Sequence, residues 1–71
     1  MSNLQNRCDF INDMIAGQGV VAVIRDSTLA WCEVRDGVEY PVTQKRAFRK
    51  LVQAGYNPKA LIEYAQSKFT D

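Results

Sequence analysis

The middle of the chain alternates apolar runs with turn residues, a pattern that predicts three short β-strands. The apolar runs cover residues 20–24, 29–34 and 38–42, and the turns between them lie at residues 25–27 and 36–37. Connections this short join antiparallel neighbours, because a parallel pair needs a crossover of about a dozen residues. We therefore expect a three-stranded antiparallel meander whose second strand is central.

The register of the second hairpin depends on the length of its loop. A two-residue loop at residues 36–37 would place the apolar side chains of the third strand on the same face as Glu33 and Arg35, and so mix charges into the apolar side. A three-residue loop at residues 35–37, closed by Gly37 in the left-handed region, would make one face wholly apolar. We expect the three-residue loop for this reason. The expected cross-strand pairs are then Val34 with Val38, Cys32 with Tyr40, and Ala30 with Val42.

The residues before the strands have the spacing of an amphipathic helix. Ser2 followed by Gln5 is typical of a capping box, and apolar residues then recur every three or four positions. Gly17 and Gly19 are expected to end this helix. Its expected core-facing residues are Leu4, Cys8, Ile11 and Ile15, with Phe10 and Met14 widening the stripe.

Two further helices are predicted after the strands. Thr43 is the expected N-cap of the first of them, and Gly55 ends it. Asn57 caps the last helix and Pro58 begins it, since the fixed φ of proline suits the first helical position. Their expected core-facing residues are Ala47, Phe48, Leu51, Val52, Leu61, Ile62, Ala65 and Phe69. The order α-β-β-β-α-α, without a repeat or a linker, predicts a single α+β domain over residues 1–71.

Composition argues against catalysis and against a bound cofactor. The chain contains no histidine, the side chain that most often exchanges protons near neutral pH. Cys8 and Cys32 fall at expected core positions without the spacing of a zinc site, so we expect buried free thiols. No stretch approaches the roughly 18 apolar residues of a membrane span, and no secretory leader is recognisable. We expect a cytoplasmic, non-enzymatic protein without a metal, another cofactor or a membrane partner.

Charge is unevenly distributed along the chain. Residues 1–42 carry three basic and six acidic groups, whereas residues 43–71 carry six basic and two acidic groups. The cations of the second helix spread over the face opposite its apolar stripe, and no acidic residue lies between Glu39 and Glu63. This face is either a nucleic-acid-binding surface or a solvated surface that keeps the protein soluble. The candidate nucleic-acid-binding residues are Lys45, Arg46, Arg49, Lys50 and Lys59.

The order of the elements and the sequence Thr-Gln-Lys-Arg-Ala at residues 43–47 resemble the double-stranded RNA-binding domain. The resemblance covers about residues 3–54, and it implies contact between the start of the second helix and phosphates across a groove. Gln44 and Phe48 stand where that family usually has lysines, and the first hairpin turn is shorter than the family's groove-reaching loop. The positions that match the family's Ser/Lys/Lys/Ala-type motif are Thr43, Lys45 and Ala47.

The last two helices also have the spacing of a helix-turn-helix, with residues 55–57 as the turn. The last helix carries little positive charge and includes Glu63. This composition favours a plain αα-hairpin that closes the core.

The expected register places Trp31 on the outer face of the sheet, where a tryptophan is typical of a protein interface or a homodimer. The alternative is that the last helix folds over this face and makes Trp31 part of the core. The candidate interface residues are Ile24, Leu29, Trp31 and Pro41.

The sequence therefore predicts a small regulatory module that binds a macromolecule. Its partner is expected to be nucleic acid at the basic helix, with a protein or a second copy of the chain at Trp31 as the alternative. Such a size is typical of host-modulating proteins of phages and mobile elements.

Overall fold

The computed structural model describes residues 3–69, which form three helices and one sheet. The strands lie in the order β1-β2-β3, and both neighbouring pairs are antiparallel. This order confirms the predicted α+β class. Ser2, half of the predicted capping box, lies outside the described residues. The elements are α1 (Asn3–Met14), β1 (Val20–Arg25), β2 (Thr28–Arg35), β3 (Val38–Val42), α2 (Gln44–Gln53) and α3 (Pro58–Lys68).

Both hairpins turn within two residues. The φ angles are 52° and 64° at Asp26 and Ser27, and 51° and 78° at Asp36 and Gly37. Positive φ at both central positions is the mark of a type I′ turn, whose twist matches that of the flanking strands. Asp-Gly is among the pairs that adopt this turn most readily, because neither residue is strongly strained in the left-handed region.

The three-residue loop predicted for the second hairpin is therefore wrong. Arg35 pairs with Val38, and Val34 pairs with Glu39 instead of Val38. Because side chains alternate along a strand, a shift of one residue exchanges the two faces of β2. Trp31 and Glu33 consequently lie on the inner face, which packs against the helices. The β2 residues on the outer face are Ala30, Cys32 and Val34.

The helices cover the inner face around Trp31, which is 4% exposed. Its ring meets the ring of Phe48 edge-on, with 5.5 Å between the centroids and 80° between the planes. The prediction that Trp31 lies on the outer face is wrong. Trp31 belongs to the core, as in the alternative, but its aromatic neighbour Phe48 comes from α2 and not from the last helix. The buried core consists of Cys8, Ile11, Ile15, Val20, Ala22, Trp31, Ala47, Leu51 and Ala65.

The predicted protein interface is not assembled by the fold. Ile24 and Leu29 lie on the same inner face as Trp31, and Leu29 packs against the core. Pro41 lies on the outer face, since its partner in the sheet is Cys32. Cys32 on the outer face is only 3% exposed, but none of the described outer-face residues belongs to the core cluster around Trp31 or packs against it.

The predicted N-caps of α2 and α3 agree with the structure. The Oγ1 atom of Thr43 accepts a hydrogen bond from the backbone N–H of Arg46 at 3.2 Å. The Oδ1 atom of Asn57 accepts one from the N–H of Ala60, also at 3.2 Å.

Val52, which was expected to face the core, is 58% exposed. Cys8 and Cys32 are buried free thiols, as predicted.

Asn12 of α1 binds the free edge of β1. Its Nδ2 atom donates to the carbonyl of Ala22 at 2.8 Å, and its Oδ1 atom accepts from the N–H of the same residue at 2.7 Å. Ala22 is the cross-strand partner of Trp31 in β2. At this position of the antiparallel ladder the N–H and C=O groups of Ala22 point away from β2. The side-chain amide therefore replaces the neighbouring strand that an edge strand lacks.

Candidate functional site

A buried carboxylate on β2 organises the basic side of the molecule. Glu33 is 4% exposed and accepts hydrogen bonds from two arginines. Its Oε1 atom accepts from Nε of Arg46 at 2.8 Å. Its Oε2 atom accepts from Nη2 of Arg35 at 2.6 Å and from Nη2 of Arg46 at 3.4 Å. A carboxylate on an inner sheet face is tolerated because both of its oxygens are paired with cations.

Two more cations of α2 lie beside this ion-paired group. Together they form a shallow depression of about 380 Å³, lined by Glu33, Arg35, Arg46, Arg49, Lys50 and Gln53. A second depression, lined by Thr43, Lys45, Arg46 and Arg49, continues along the helix towards its start. We refer to the five cations Arg35, Lys45, Arg46, Arg49 and Lys50 as the basic surface. Among residues 3–69, Glu33 is the one carboxylate that lines either depression, so positive charge is in excess there.

The two arginines held by Glu33 remain open to solvent. Their side chains are 55% and 59% exposed for Arg35 and Arg46 respectively. A guanidinium has five N–H donors, and the contacts with Glu33 use only some of them. These arginines are held in place and can still donate to a second anion.

Gly19 provides the space in which Lys50 lies. A β-carbon at this glycine would be 3.2 Å from the Nζ atom of Lys50. Gly19 also has a φ of +77°, which other residues adopt only with strain. A larger side chain at this position would displace the lysine from the basic surface.

The structure brings together four of the five predicted nucleic-acid-binding residues. Lys59, the fifth, is the second residue of α3 and lines neither depression. Arg35 was not predicted because the expected three-residue loop placed it in the turn, whereas in the structure it belongs to β2 and pairs with Val38. The Asp36-Gly37 turn was the local signal that could have placed Arg35 beside Glu33.

The arginines lower the pKa of Glu33 from its ordinary value of 4.5 to about 2. The hydrogen bond from Arg46 is the larger cause, and the one from Arg35 comes next. A carboxyl group whose pKa is lower in the folded state stabilises the fold above its unfolded pKa. This contribution is lost as the pH falls through about 4.5 towards 2.

We therefore expect the free energy of unfolding to fall over this acid range, and to fall less in Glu33→Gln. Urea denaturation followed by circular dichroism, repeated at several pH values between about 7 and 2, measures both curves. Parallel curves for the two proteins would contradict the ion pairing of Glu33.

A third surface depression is apolar and lies between α1 and the start of α3. Its volume is about 640 Å³. Phe10 and Tyr64 form part of its wall, with ring centroids 5.5 Å apart. Within residues 3–69, no three histidine, cysteine or acidic side chains converge into a possible metal site. None of the described helices is both long and apolar enough to cross a membrane.

No known protein family matches the chain, and neither does any curated protein or solved structure. The elements follow the order α-β-β-β-α-α, and the first hairpin turn contains only Asp26 and Ser27.

Proposed function

We propose that this protein is a non-enzymatic, regulatory binding module that holds the phosphate backbone of nucleic acid on its basic surface. One observation carries the proposal. A buried carboxylate fixes Arg35 and Arg46, and both arginines line a depression to which the described part of the chain contributes two further cations and no second acid. Arginine forks of this kind match the oxygens of a phosphate group.

The fixed arginines distinguish this proposal from a merely solubilising surface. A solvated charged face needs no particular side-chain geometry, because any exposed cation improves solubility. Here one guanidinium from β2 and one from α2 share the same carboxylate, which aligns them across two elements. Such alignment reduces the entropy lost when an anion binds.

The start of α2 adds to the attraction for phosphate. Lys45 and Arg46 lie in the first turn of α2, and this turn contains no acidic residue. Positive side chains there oppose the helix macrodipole at a cost of some tenths of a kcal/mol each. A bound phosphate would reverse this cost, since it interacts favourably with both the cations and the helix N-terminus.

The double variant Lys45→Glu with Arg49→Glu tests the basic surface. We expect its dissociation constant for a fluorescein-labelled oligonucleotide to rise by about tenfold or more at low salt. The slope of log K against log salt concentration should also become shallower by about one to two, because two phosphate contacts are lost. Fluorescence anisotropy titrations at several salt concentrations measure both quantities.

The matched control is Arg25→Glu with Lys59→Glu, which reverses one arginine and one lysine outside the basic surface. This control should weaken binding much less, although the net charge changes by the same amount. Equal losses in the two double variants would show that only net charge matters. No binding by the unmodified protein at low salt would reject the proposal.

A further inference from the structure

The inner face of the sheet extends beyond the helices that cover it. Tyr40 is the cross-strand partner of Glu33, and Val38 is the partner of Arg35. Both β3 residues lie on the same face as the buried Trp31, yet Tyr40 is 45% exposed and Val38 is 50% exposed. They form an uncovered apolar area, which we call the shelf, directly beside the ion-paired Glu33.

Arg35 joins the shelf to the basic surface. Its guanidinium lies over the ring of Tyr40, with Cζ 5.5 Å from the ring centroid. The same guanidinium donates to Glu33 at 2.6 Å. A cation held over an aromatic face restrains the ring. The ring of Tyr40 is therefore partly exposed, restrained and in contact with Arg35, one of the cations of the basic surface.

This arrangement suits one class of ligand. Proteins bind single strands by stacking bases on aromatic rings while nearby cations hold the phosphates. In a duplex, the faces of the bases are stacked on one another and cannot reach a ring in a sheet. A polyanion drawn to the basic surface would place its unpaired bases next to the shelf.

We propose that Tyr40 stacks on an unpaired base, and that the nucleic acid held by this protein is consequently single-stranded. This inference rests on the proposed function of the basic surface and adds to it. The cations would hold the backbone of the strand, and the shelf would distinguish a single strand from a duplex.

The first test compares three labelled ligands on the unmodified protein: a single-stranded oligonucleotide, a duplex of the same sequence, and an abasic strand of the same length. We expect the single strand to bind several times more tightly than the abasic strand, because both carry the same phosphates and only one carries bases. Tighter binding of the duplex, or equal binding of the abasic strand, would overturn the inference.

The second test uses Tyr40→Ala with Tyr40→Phe as its control. Tyr40→Ala should raise the dissociation constant for the single strand by about tenfold and leave that for the abasic strand nearly unchanged. Tyr40→Phe keeps the ring and should bind like the unmodified protein. Equal weakening of both ligands by Tyr40→Ala would assign Tyr40 only the role of supporting Arg35, and would reject stacking.

Failure of this inference can be distinguished from failure of the proposed function. If Lys45→Glu with Arg49→Glu weakens binding while Tyr40→Ala does not, the basic surface stands and the shelf is rejected. If no oligonucleotide binds at low salt, both proposals are rejected.

Discussion

Replacement of Trp31 by alanine is expected to lower the free energy of unfolding by about 3 to 5 kcal/mol. The indole is 4% exposed and lies at the centre of the inner face, against the ring of Phe48. Its removal leaves a cavity that the sheet and α2 can fill only in part. A chain of 71 residues has a total stability on the order of 4 to 11 kcal/mol. The variant should therefore lose a large share of its stability, as measured by urea denaturation followed by circular dichroism.

Tyr64→Ala is a suitable control, because Tyr64 is an aromatic residue that is 59% exposed. It contacts the ring of Phe10, so a loss of about 1 kcal/mol is expected. A loss below about 1 kcal/mol in Trp31→Ala would contradict the burial of the indole and would agree with a position at an interface.

Replacement of Asn12 by aspartate is expected to destabilise the fold by about 2 to 3 kcal/mol at neutral pH. The new carboxylate could still accept from the N–H of Ala22, but it could not donate to the carbonyl 2.8 Å from the present amide nitrogen. The carbonyl would keep only the weak thiol donor of Cys8, whose Sγ atom lies 3.2 Å away, and would face a negative charge. Asn12→Ala removes both bonds but introduces no charge, so its cost should be smaller, about 1 to 2 kcal/mol.

The pH dependence of Asn12→Asp provides an independent check. Protonation allows the introduced carboxyl group to donate to Ala22, so its pKa should be higher in the folded state than in the unfolded chain. Its destabilising effect should then be largest at neutral pH and should decrease as the pH falls. Asp13→Asn, an exposed change of one charge on the next residue, should alter stability by less than about 0.5 kcal/mol. Similar losses in both variants would contradict the role of Asn12 at the edge of β1.

The features that depend on local chemistry could be predicted from the sequence. Thr43 and Asn57 cap their helices because each side chain bonds an N–H three residues ahead. The order of the elements followed from the spacing of apolar residues and from the short turns. The cations of α2 could be assigned to one face, since the helical period depends only on neighbouring residues.

The register of the second hairpin could not be derived from the apolar pattern alone. The apolar pattern disfavours this register because it mixes Glu33 and Arg35 with the apolar side chains of the inner face. In the structure these two residues pair with each other, and Arg46 adds a second cation to Glu33 from a helix 13 positions further along the chain. The local turn signal at Asp36 and Gly37 was correct, and a contact between distant elements made its register acceptable.

The residues of the site divide in the same way into those that local sequence could predict and those that depend on contacts between distant elements. Arg35 and Tyr40 belong to the sheet, so the position of Tyr40 opposite Glu33 and next to Arg35 depended on the register. Lys59 was predicted to join these cations because it lies in the same stretch of sequence without acidic residues. In the structure it is the second residue of α3 and lines neither basic depression. Asn12 lies within an otherwise ordinary helical pattern, and nothing local indicated its bond to Ala22.

The two edges of the sheet limit how this protein can assemble with itself. At β1, the amide of Asn12 already occupies the backbone groups of Ala22. At β3, the backbone nitrogen of Pro41 points away from β2, towards the side on which a further strand would be added. An added strand would require an N–H donor there, and proline has none. Strand-by-strand growth into fibrils is thereby hindered at both ends of the folded sheet. The protein gains this protection without a long or heavily charged edge strand.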